Sequence, residues 1–385
     1  VSEYQYYEFV AVDRPLNERQ LGELRALSTR ASLTPTSFVN TYHWGDFRGN
    51  PRQLMAKYFD GFLYLANWGT RELMIRLPAR LLDVKTAARY CTGDVATVWA
   101  AGDHVILALH SEDESGDWER GGEGWLTSII PVRADLATGD LRVLYLAWLL
   151  CAQAGELEDD TVEPPVPPDL GTLTGPLRSL ADFLRLDDDL LAVAATVSGR
   201  SAPDTWSRAD LTRWIEQLPA AEKDALLVQA VVGDDTHLRA ELMRRFRAQH
   251  AERSEAVAGG RTVGELLEAA QTHRAQREQF AAQRQAQERA RRERAAAIAR
   301  EQHLEALAAD EEPAWQRVSS SIDTKKPTEY DAAVALLVDL RAVAEQRNEG
   351  DVFARRFEQL CNQHLRKPSL LQRFDRAGLT PTVGR

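Results

Sequence analysis

The stretch Tyr42–Pro51, YHWGDFRGNP, gathers the residues best equipped for chemistry. His43 has the type of a general base, Asp46 that of its orienting partner, and Arg48 that of an anion clamp. The amides after Asn50 would offer a ligand the N-terminus of a helix. A plainer assignment uses the same residues. Tyr42, Trp44 and Phe47 pack across a sheet edge, Gly45 and Gly49 allow the turns, and Asn50-Pro51 caps a helix. The plainer assignment weighs more, so no catalytic residue is assigned. Trp44, Phe47 and Arg48 remain as an expected contact patch.

A second cluster follows His104: His110-Ser111-Glu112-Asp113-Glu114-Ser115-Gly116-Asp117-Trp118-Glu119. Its carboxylates could hold Ca²⁺ or Mg²⁺, with Asp113, Asp117 and His110 as candidate ligands. His104 and His110 on one strand would face the same side, which would suit a metal. The series lacks EF-hand spacing, and an acidic hairpin loop explains it more simply, so no metal or cofactor is expected. Tyr4, Tyr6 and Tyr7 could stack nucleic-acid bases, but no RNP1-like run accompanies them. No G-x-S-x-G surrounds a serine, and Gly259-Gly260 lacks the lysine and spacing of a phosphate loop.

The elements that must position these residues are legible in outline. Tyr4–Val12 is aromatic and β-branched, a strand. Asn17 caps a helix over Glu18–Arg30, with Leu21, Leu24 and Leu27 on one face. Ser37–His43 alternates as a second strand, and Asn50-Pro51 starts a helix through about Tyr58. Phe62–Asn67 and Arg71–Leu77 form a hairpin about Trp68-Gly69-Thr70. A short helix near Leu81–Ala88, strands near Asp94–Ala100 and His104–Leu109, a strand at Trp125–Val132 and a helix over Leu141–Ala154 follow. The order β-α-β-α-β-β predicts an α+β domain with a mixed or antiparallel sheet, helices on one face and a ferredoxin-like theme.

Acidic Glu156–Asp160 and Pro164-Pro165-Val166-Pro167-Pro168 read as a boundary and a stiff linker. Helices are expected over Leu177–Leu184, Asp189–Thr196, Arg208–Leu218, Ala220–Val232 and His237–Ala248, with Ser207 and Asp235 among the caps. Thr262 and Glu265 form a capping box for a long helix from Val263 to about Ala309. Its segment 271–300 carries 8 basic and 3 acidic side chains among Ala and Gln, as a solvated single helix or weak coiled coil would. A short helix over Ala314–Ile322 and an αα-hairpin, Tyr330–Gln346 with Asp351–Leu365, complete an all-α half. The expected parts are 1–160, 161–170 as linker, 171–258, 262–310 and 313–385.

Composition narrows the class. The net charge of −11 over 385 residues disfavours non-specific binding to nucleic acid by the whole chain. Residues 1–160 hold 15 basic and 23 acidic side chains, so a polyanion would meet the second half. Three distant cysteines, Cys91, Cys151 and Cys361, build neither a zinc knuckle nor a disulfide framework and point to a reducing compartment. No apolar run nears the roughly 20 residues that span a bilayer. VSEYQYYEF lacks the basic and apolar regions of a signal peptide, and Val1 reads as a GTG start, so a cytoplasmic location is expected. Six lysines against forty-one arginines fit a high-GC bacterial genome.

Near the C-terminus, Lys325-Lys326-Pro327-Thr328-Glu329-Tyr330-Asp331, then Ala333-Val334, Leu336-Leu337 and Asp339-Leu340-Arg341, then His364-Leu365-Arg366-Lys367-Pro368-Ser369-Leu370, resemble the helical tail of bacterial SWIM zinc-finger proteins. The zinc motif of that family, C-x-C followed by C-x-H, is absent from this sequence, so the resemblance implies neither zinc nor DNA binding. It implies a shared partner or locus with a SWIM-type protein; read from the residues alone, the tail is an apolar-faced helix pair ending in a basic loop, with Arg366 and Lys367 as expected contact residues. YQYYEF, TPTSF, YHWGDF and YLANWGTR resemble proteins of high-GC bacteria, which implies no activity. The expectation is a non-enzymatic adaptor or regulatory protein that binds or sequesters a protein partner. In it the long helix would set the spacing of head and tail at about 1.5 Å per residue. Two alternatives stand: a metal-dependent enzyme on nucleic acid or phosphate substrates, and a nucleic-acid-associated accessory factor of a stress or defence locus.

Overall fold

The computed structural model describes residues 3–113, 121–200, 207–232, 237–250 and 260–380. The chain divides into two compact units, Val1–Arg277 and Glu278–Arg385. Among the described residues no helix is long and apolar enough to cross a membrane.

In the first unit β1 (Gln5–Val10) is followed by α1 (Glu18–Leu27), β2 (Ser32–Leu33), β3 (Ser37–Tyr42), α2 (Pro51–Lys57), β4 (Gly61–Ala66) and β5 (Arg71–Pro78). Then come α3 (Val84–Ala88), β6 (Ala96–Ala101) and β7 (His104–Ser111). The seven strands form one sheet in the order β2-β3-β1-β4-β5-β7-β6, every neighbouring pair antiparallel. The α+β expectation holds, in a sheet larger than a four-stranded unit. Asn17 accepts from the Gln20 N–H while Gln20 returns a bond to the Asn17 N–H, so α1 starts where its capping box demands. Asn50 caps α2 through the Gln53 N–H at 3.2 Å, with Pro51 at the first helical position.

Helices cover both faces of the sheet, not the one face expected. On one side Phe9, Phe38, Phe62, Met74 and Ile106 pack beneath α1 and α2. On the other Leu63, Leu65, Ile75, Leu77, Val105 and Leu107 meet the helices that follow β7. The cause is in the strands. GFLYLA in β4 is apolar without alternation, and all six residues are buried, which a half-solvated sheet would not allow. Each fully buried Phe or Leu contributes about 2 kcal/mol of transfer free energy to this double core.

The second face is built from α4 (Trp125–Ile129), α5 (Val132–Ala137), α6 (Arg142–Gln153), α7 (Gly175–Phe183) and α8 (Asp188–Ala195). The strand expected at Trp125–Val132 is therefore α4 and the start of α5. Its β-branched content pointed to a strand, but Leu126, Ile129 and Val132 are buried three residues apart, a helical repeat. Gly124, at φ 86°, opens α4 in a conformation that suits only glycine.

The Pro164–Pro168 segment, read as a linker, lies inside the first unit. Val166 is fully buried and the Pro165 carbonyl accepts from Tyr90 Oη at 2.9 Å. Beyond α8 come α9 (Arg208–Gln217), α10 (Ala220–Val232) and α11 (Leu238–His250). Ser207 caps α9 with Asp210 returning its bond; Asp235 lies outside the described residues. The long helix α12 (Val263–Ala309) matches its expected bounds and its Thr262–Glu265 capping box. Val263, Leu266 and Ala270 of its first turns are buried in the first unit's core.

In the second unit Leu304 and Leu307 of α12 pack with α13 (Glu311–Asp323), α14 (Pro327–Gln346), α15 (Gly350–Gln363) and α16 (Pro368–Arg376). Trp315, Leu337, Leu340, Phe353, Phe357 and Phe374 form this core. Helix α13 begins before Pro313, because a proline in the first turn removes no intrahelical bond.

One ion network ties the sheet's layers together. Asp60, 1% exposed, accepts from Arg76 Nη2 at 2.8 Å and from the N–H groups of Val12 and Asp13 at 2.7 and 2.9 Å. Arg133 binds Asp13 with both terminal nitrogens, and His237 Nε2 lies 2.7 Å from the same carboxylate. Burial pushes the Asp13 carboxyl up, but bonds from His237 and Arg133 outweigh it and hold it well below the usual carboxylate range. Asp60→Ala would leave the buried Arg76 guanidinium and the N–H groups of Val12 and Asp13 short of an acceptor, and chemical denaturation should show a loss of about 3–5 kcal/mol. A depressed folded pKa gives stability that is present above about pH 4 and is lost as pH falls through the folded value. Asp13→Asn should accordingly flatten the stability profile below about pH 4; an unchanged slope would contradict the network.

Candidate functional site

The decapeptide is the β3–α2 junction, and it folds inward around one ring. Phe47 sits 5.1 Å from the Tyr7 ring, 5.7 Å from Phe38 and 6.1 Å from Phe9. Gly49 is required there: a Cβ would meet the Phe47 ring at 2.5 Å. Gln5, buried in β1, donates from Nε2 to the Gly45 carbonyl and to Asp46 Oδ1, both at 3.2 Å. Asp46 thus fastens the loop to the sheet. His43 is exposed, its ring 5.8 Å from Tyr4. The expected three-residue patch divides: Trp44, 67% exposed under the Arg30 guanidinium at 4.9 Å, and Arg48 face solvent, while Phe47 anchors the loop.

Antiparallel register then assembles residues that the sequence keeps far apart. Asn40, Tyr7, Tyr64, Glu72 and His110 pair in turn across β3, β1, β4, β5 and β7, forming one transverse row. Tyr7 and Tyr64 both donate to Gln5 Oε1, at 2.8 and 3.2 Å. Burial pushes the Tyr7 phenol up to about 12, and Tyr64, buried beside Tyr7 and Glu72, is raised as well. Both stay neutral donors. At the row's end His110 Nδ1 lies 3.7 Å from Glu72 and Nε2 3.1 Å from Glu112. The neighbouring Glu72 carboxylate raises the His110 pKa against the effect of burial, with Glu112 adding to it. A histidine so flanked has a carboxylate beside each ring nitrogen, so a ligand would meet neither nitrogen alone.

The metal alternative fares differently at each ligand. Asp113 has its carboxylate 3.8 Å from Arg185 Nε and its carbonyl against Gly69, where a Cβ would meet it at 1.8 Å. Asp117 lies outside the described residues. His104 and His110 share a strand side, but six residues of strand separate them by about 20 Å, too far for one ion. Among the described residues no group of three or more His, Cys, Asp or Glu is placed to hold a metal. Tyr4, Tyr6 and Tyr7 are all buried, with Tyr7 on the opposite sheet face from the other two, so they offer no stacking platform.

Two further surfaces stand out. Helix α10 buries none of its residues; Leu227, Val228, Val231 and Val232 are 64, 62, 85 and 60% exposed. Leu227, Val228 and Val231 lie at i, i+1 and i+4, a continuous apolar stripe. In the tail Arg366 is exposed, while Lys367 Nζ donates to the Ile322 carbonyl at 3.1 Å beside Asp323 and so closes α13 against α16. Neither Glu72 nor Gln5 was marked by the sequence, since only strand register brings them to the row. The α10 stripe had a signal: five of the seven residues Leu226–Val232 are Leu or Val, more than one buried face needs.

No family model, no curated protein and no solved structure matches the chain.

The His110 arrangement has a direct test. An NMR titration should place its midpoint above the ordinary value of about 6.5, and Glu72→Gln should lower it. Because the folded pKa is raised, the pair's stabilisation is full below about pH 6.5 and fades as pH rises through the folded value. A midpoint at or below 6.5, roughly, would remove the pairing of His110 with Glu72.

Proposed function

We propose that the chain is a non-enzymatic adaptor or regulatory protein that binds a protein partner through the apolar stripe of α10. The observation that carries this reading is the exposure of Leu227, Val228, Val231 and Val232 together on one helix. Most other large apolar side chains of the first unit go into a core that covers both sheet faces, and the exposed ones, such as Val12, Trp44, Trp68 and Val162, are not gathered on one helix. Burying one Val or Leu gains about 1.5–3 kcal/mol, so four left in water are a standing drive toward association. The occupant is an amphipathic helix or apolar groove of another protein, which would seat residues spaced three and four apart. The resemblance of the tail points to a SWIM-type protein or a component of its locus as the source. The polar row supports the non-enzymatic side of the reading, since its phenols are neutral and its histidine is paired on both nitrogens.

A second reading rests on α12, whose side chains from 278 to 303 are exposed, among them Arg284, Arg289, Arg291, Arg292 and Arg294. It is nucleic-acid association by this basic stretch, and it requires binding that falls steeply as salt rises.

Leu227→Asp combined with Val231→Asp tests the first reading. The variant should keep its thermal midpoint within a few degrees, because both side chains are solvent-exposed. It should lose at least about tenfold in affinity for the protein that co-purifies with the wild type, as removal of two central contacts demands. Equal recovery of the same partner by both proteins on size exclusion would end this proposal.

A further inference from the structure

The sheet ends differently on its two sides. One edge is β2, two residues long and followed by Pro35, the kind of blunt edge that discourages pairing. The other edge is β6, and from Val95 to Ala101 it carries no charge and no proline. Its backbone directions follow from one bond. His110 N–H donates to the Val95 carbonyl at 2.7 Å, so Thr97, Trp99 and Ala101 turn their peptide groups toward β7, while the Val95 N–H donates to the Glu156 carboxylate. Ala96, Val98 and Ala100 turn theirs outward. The Ala96 N–H reaches the Cys151 sulfur. Beside Val98 and Ala100 no strand is present among the described residues. A cleft of about 580 Å³, lined in part by Gly93, Asp94, Thr97, Val98 and Glu156, runs along the start of this edge.

We infer that the outer edge of β6 is a docking site for an extended segment of another protein, uncharged in its middle and carrying a lysine or arginine at each end. The segment adds an eighth strand, exchanging backbone bonds with Val98 and Ala100. Its basic ends meet Asp94 and Glu156 at one end of β6 and Asp103 at the other. The same acids disfavour a second copy, since antiparallel pairing of two β6 edges brings the Asp94 end of one beside the Asp103 end of the other, like charges in contact. Trp99, half-buried beneath the Arg52 guanidinium at 4.2 Å, gives the added strand an aromatic neighbour on the α2 side. This inference rests on the reading of the chain as a protein-binding adaptor but uses a surface separate from α10.

The probe is a fluorescein-labelled heptapeptide of alternating threonine and valine with lysine at both ends, titrated with the full chain by fluorescence anisotropy. Wild type should bind it at least tenfold more tightly than the same peptide ended in glutamate. Val98→Pro should weaken binding at least tenfold, because it deletes an outward N–H while leaving the β7 ladder whole. In the wild-type complex amide exchange should slow at Val98 and Ala100, a readout that holds even if the proline variant folds poorly. The α10 double variant should bind the peptide as wild type does, which separates failure of this inference from failure of the α10 reading. No binding below about 1 mM, or unchanged exchange at Val98 and Ala100, would overturn the proposal. So would sedimentation showing a dimer that Val98→Pro dissolves, for then the occupant is a second copy.

Discussion

The interaction on which the first unit depends is the carboxylate of Asp60. It stands just ahead of β4, yet it is where β1, β4, β5, α2 and α5 are joined. Its Oδ2 takes the N–H groups of Val12 and Asp13, just past β1, and its Oδ1 takes Arg76 of β5. Arg76 in turn donates to the Met55 and Ala56 carbonyls in the last turn of α2. From the opposite face Arg133 of α5 reaches the Arg76 carbonyl and Asp13. Helices on the two faces of the sheet are therefore tied through one set of charges. Buried charges are costly unless every hydrogen-bonding position is used, and here the guanidinium groups find carboxylates and carbonyls together.

A second clamp explains why a proline-rich segment does not behave as a linker. Glu163, with no exposed side chain, receives Arg261 Nε at 2.9 Å and Nη2 at 2.7 Å, and also the Tyr145 hydroxyl. The main chain repeats the contact, with the Glu163 N–H donating to the Arg261 carbonyl at 2.9 Å. The residues before Pro164 and those before α12 thus form one fixed piece. Asp189 extends it, its buried carboxylate meeting His273 and Arg277 at 2.8 and 2.9 Å. In the second unit Asp339 serves α12 likewise, through Arg300 and His303. A helix whose middle side chains are exposed gains its tertiary stabilisation where these acids and the buried leucines hold it.

Local rules were legible in the sequence and long-range ones were not. Asn17, Asn50, Ser207 and Thr262 announced helix starts because a cap acts within four residues. Gly69, at positive φ, marked the β4–β5 hairpin for the same reason. The second covered face and the Asn40–Tyr7–Tyr64–Glu72–His110 row depend on which strand lies beside which. Composition carries no direct record of that. Phe47 shows the limit at one residue: in sequence it is one of three aromatics in a loop, and its inward turn follows from Phe9 and Phe38 being its neighbours. The Pro-rich stretch misled in the same way, since a stiff extended chain is as able to pack against Tyr90 as to span solvent.

What separates the row on the sheet from the two proposed surfaces is the state of their hydrogen-bonding and apolar groups. In the row Gln5 satisfies two phenols and the loop above it, and His110 has a carboxylate on each nitrogen, so a newcomer would have to displace a partner already held. Displacing such a bond returns little net free energy, because one hydrogen bond is exchanged for another. The α10 stripe and the β6 edge are the reverse case. Water covers the first at a cost proportional to its apolar area, and it solvates the outward peptide groups of the second without fixing them. Free energy of association is available where the folded chain has left these groups to solvent. The decapeptide belongs to the first kind at Phe47 and Asp46, the one packed among rings and the other bonded by Gln5, and to the second only at Trp44 and Arg48.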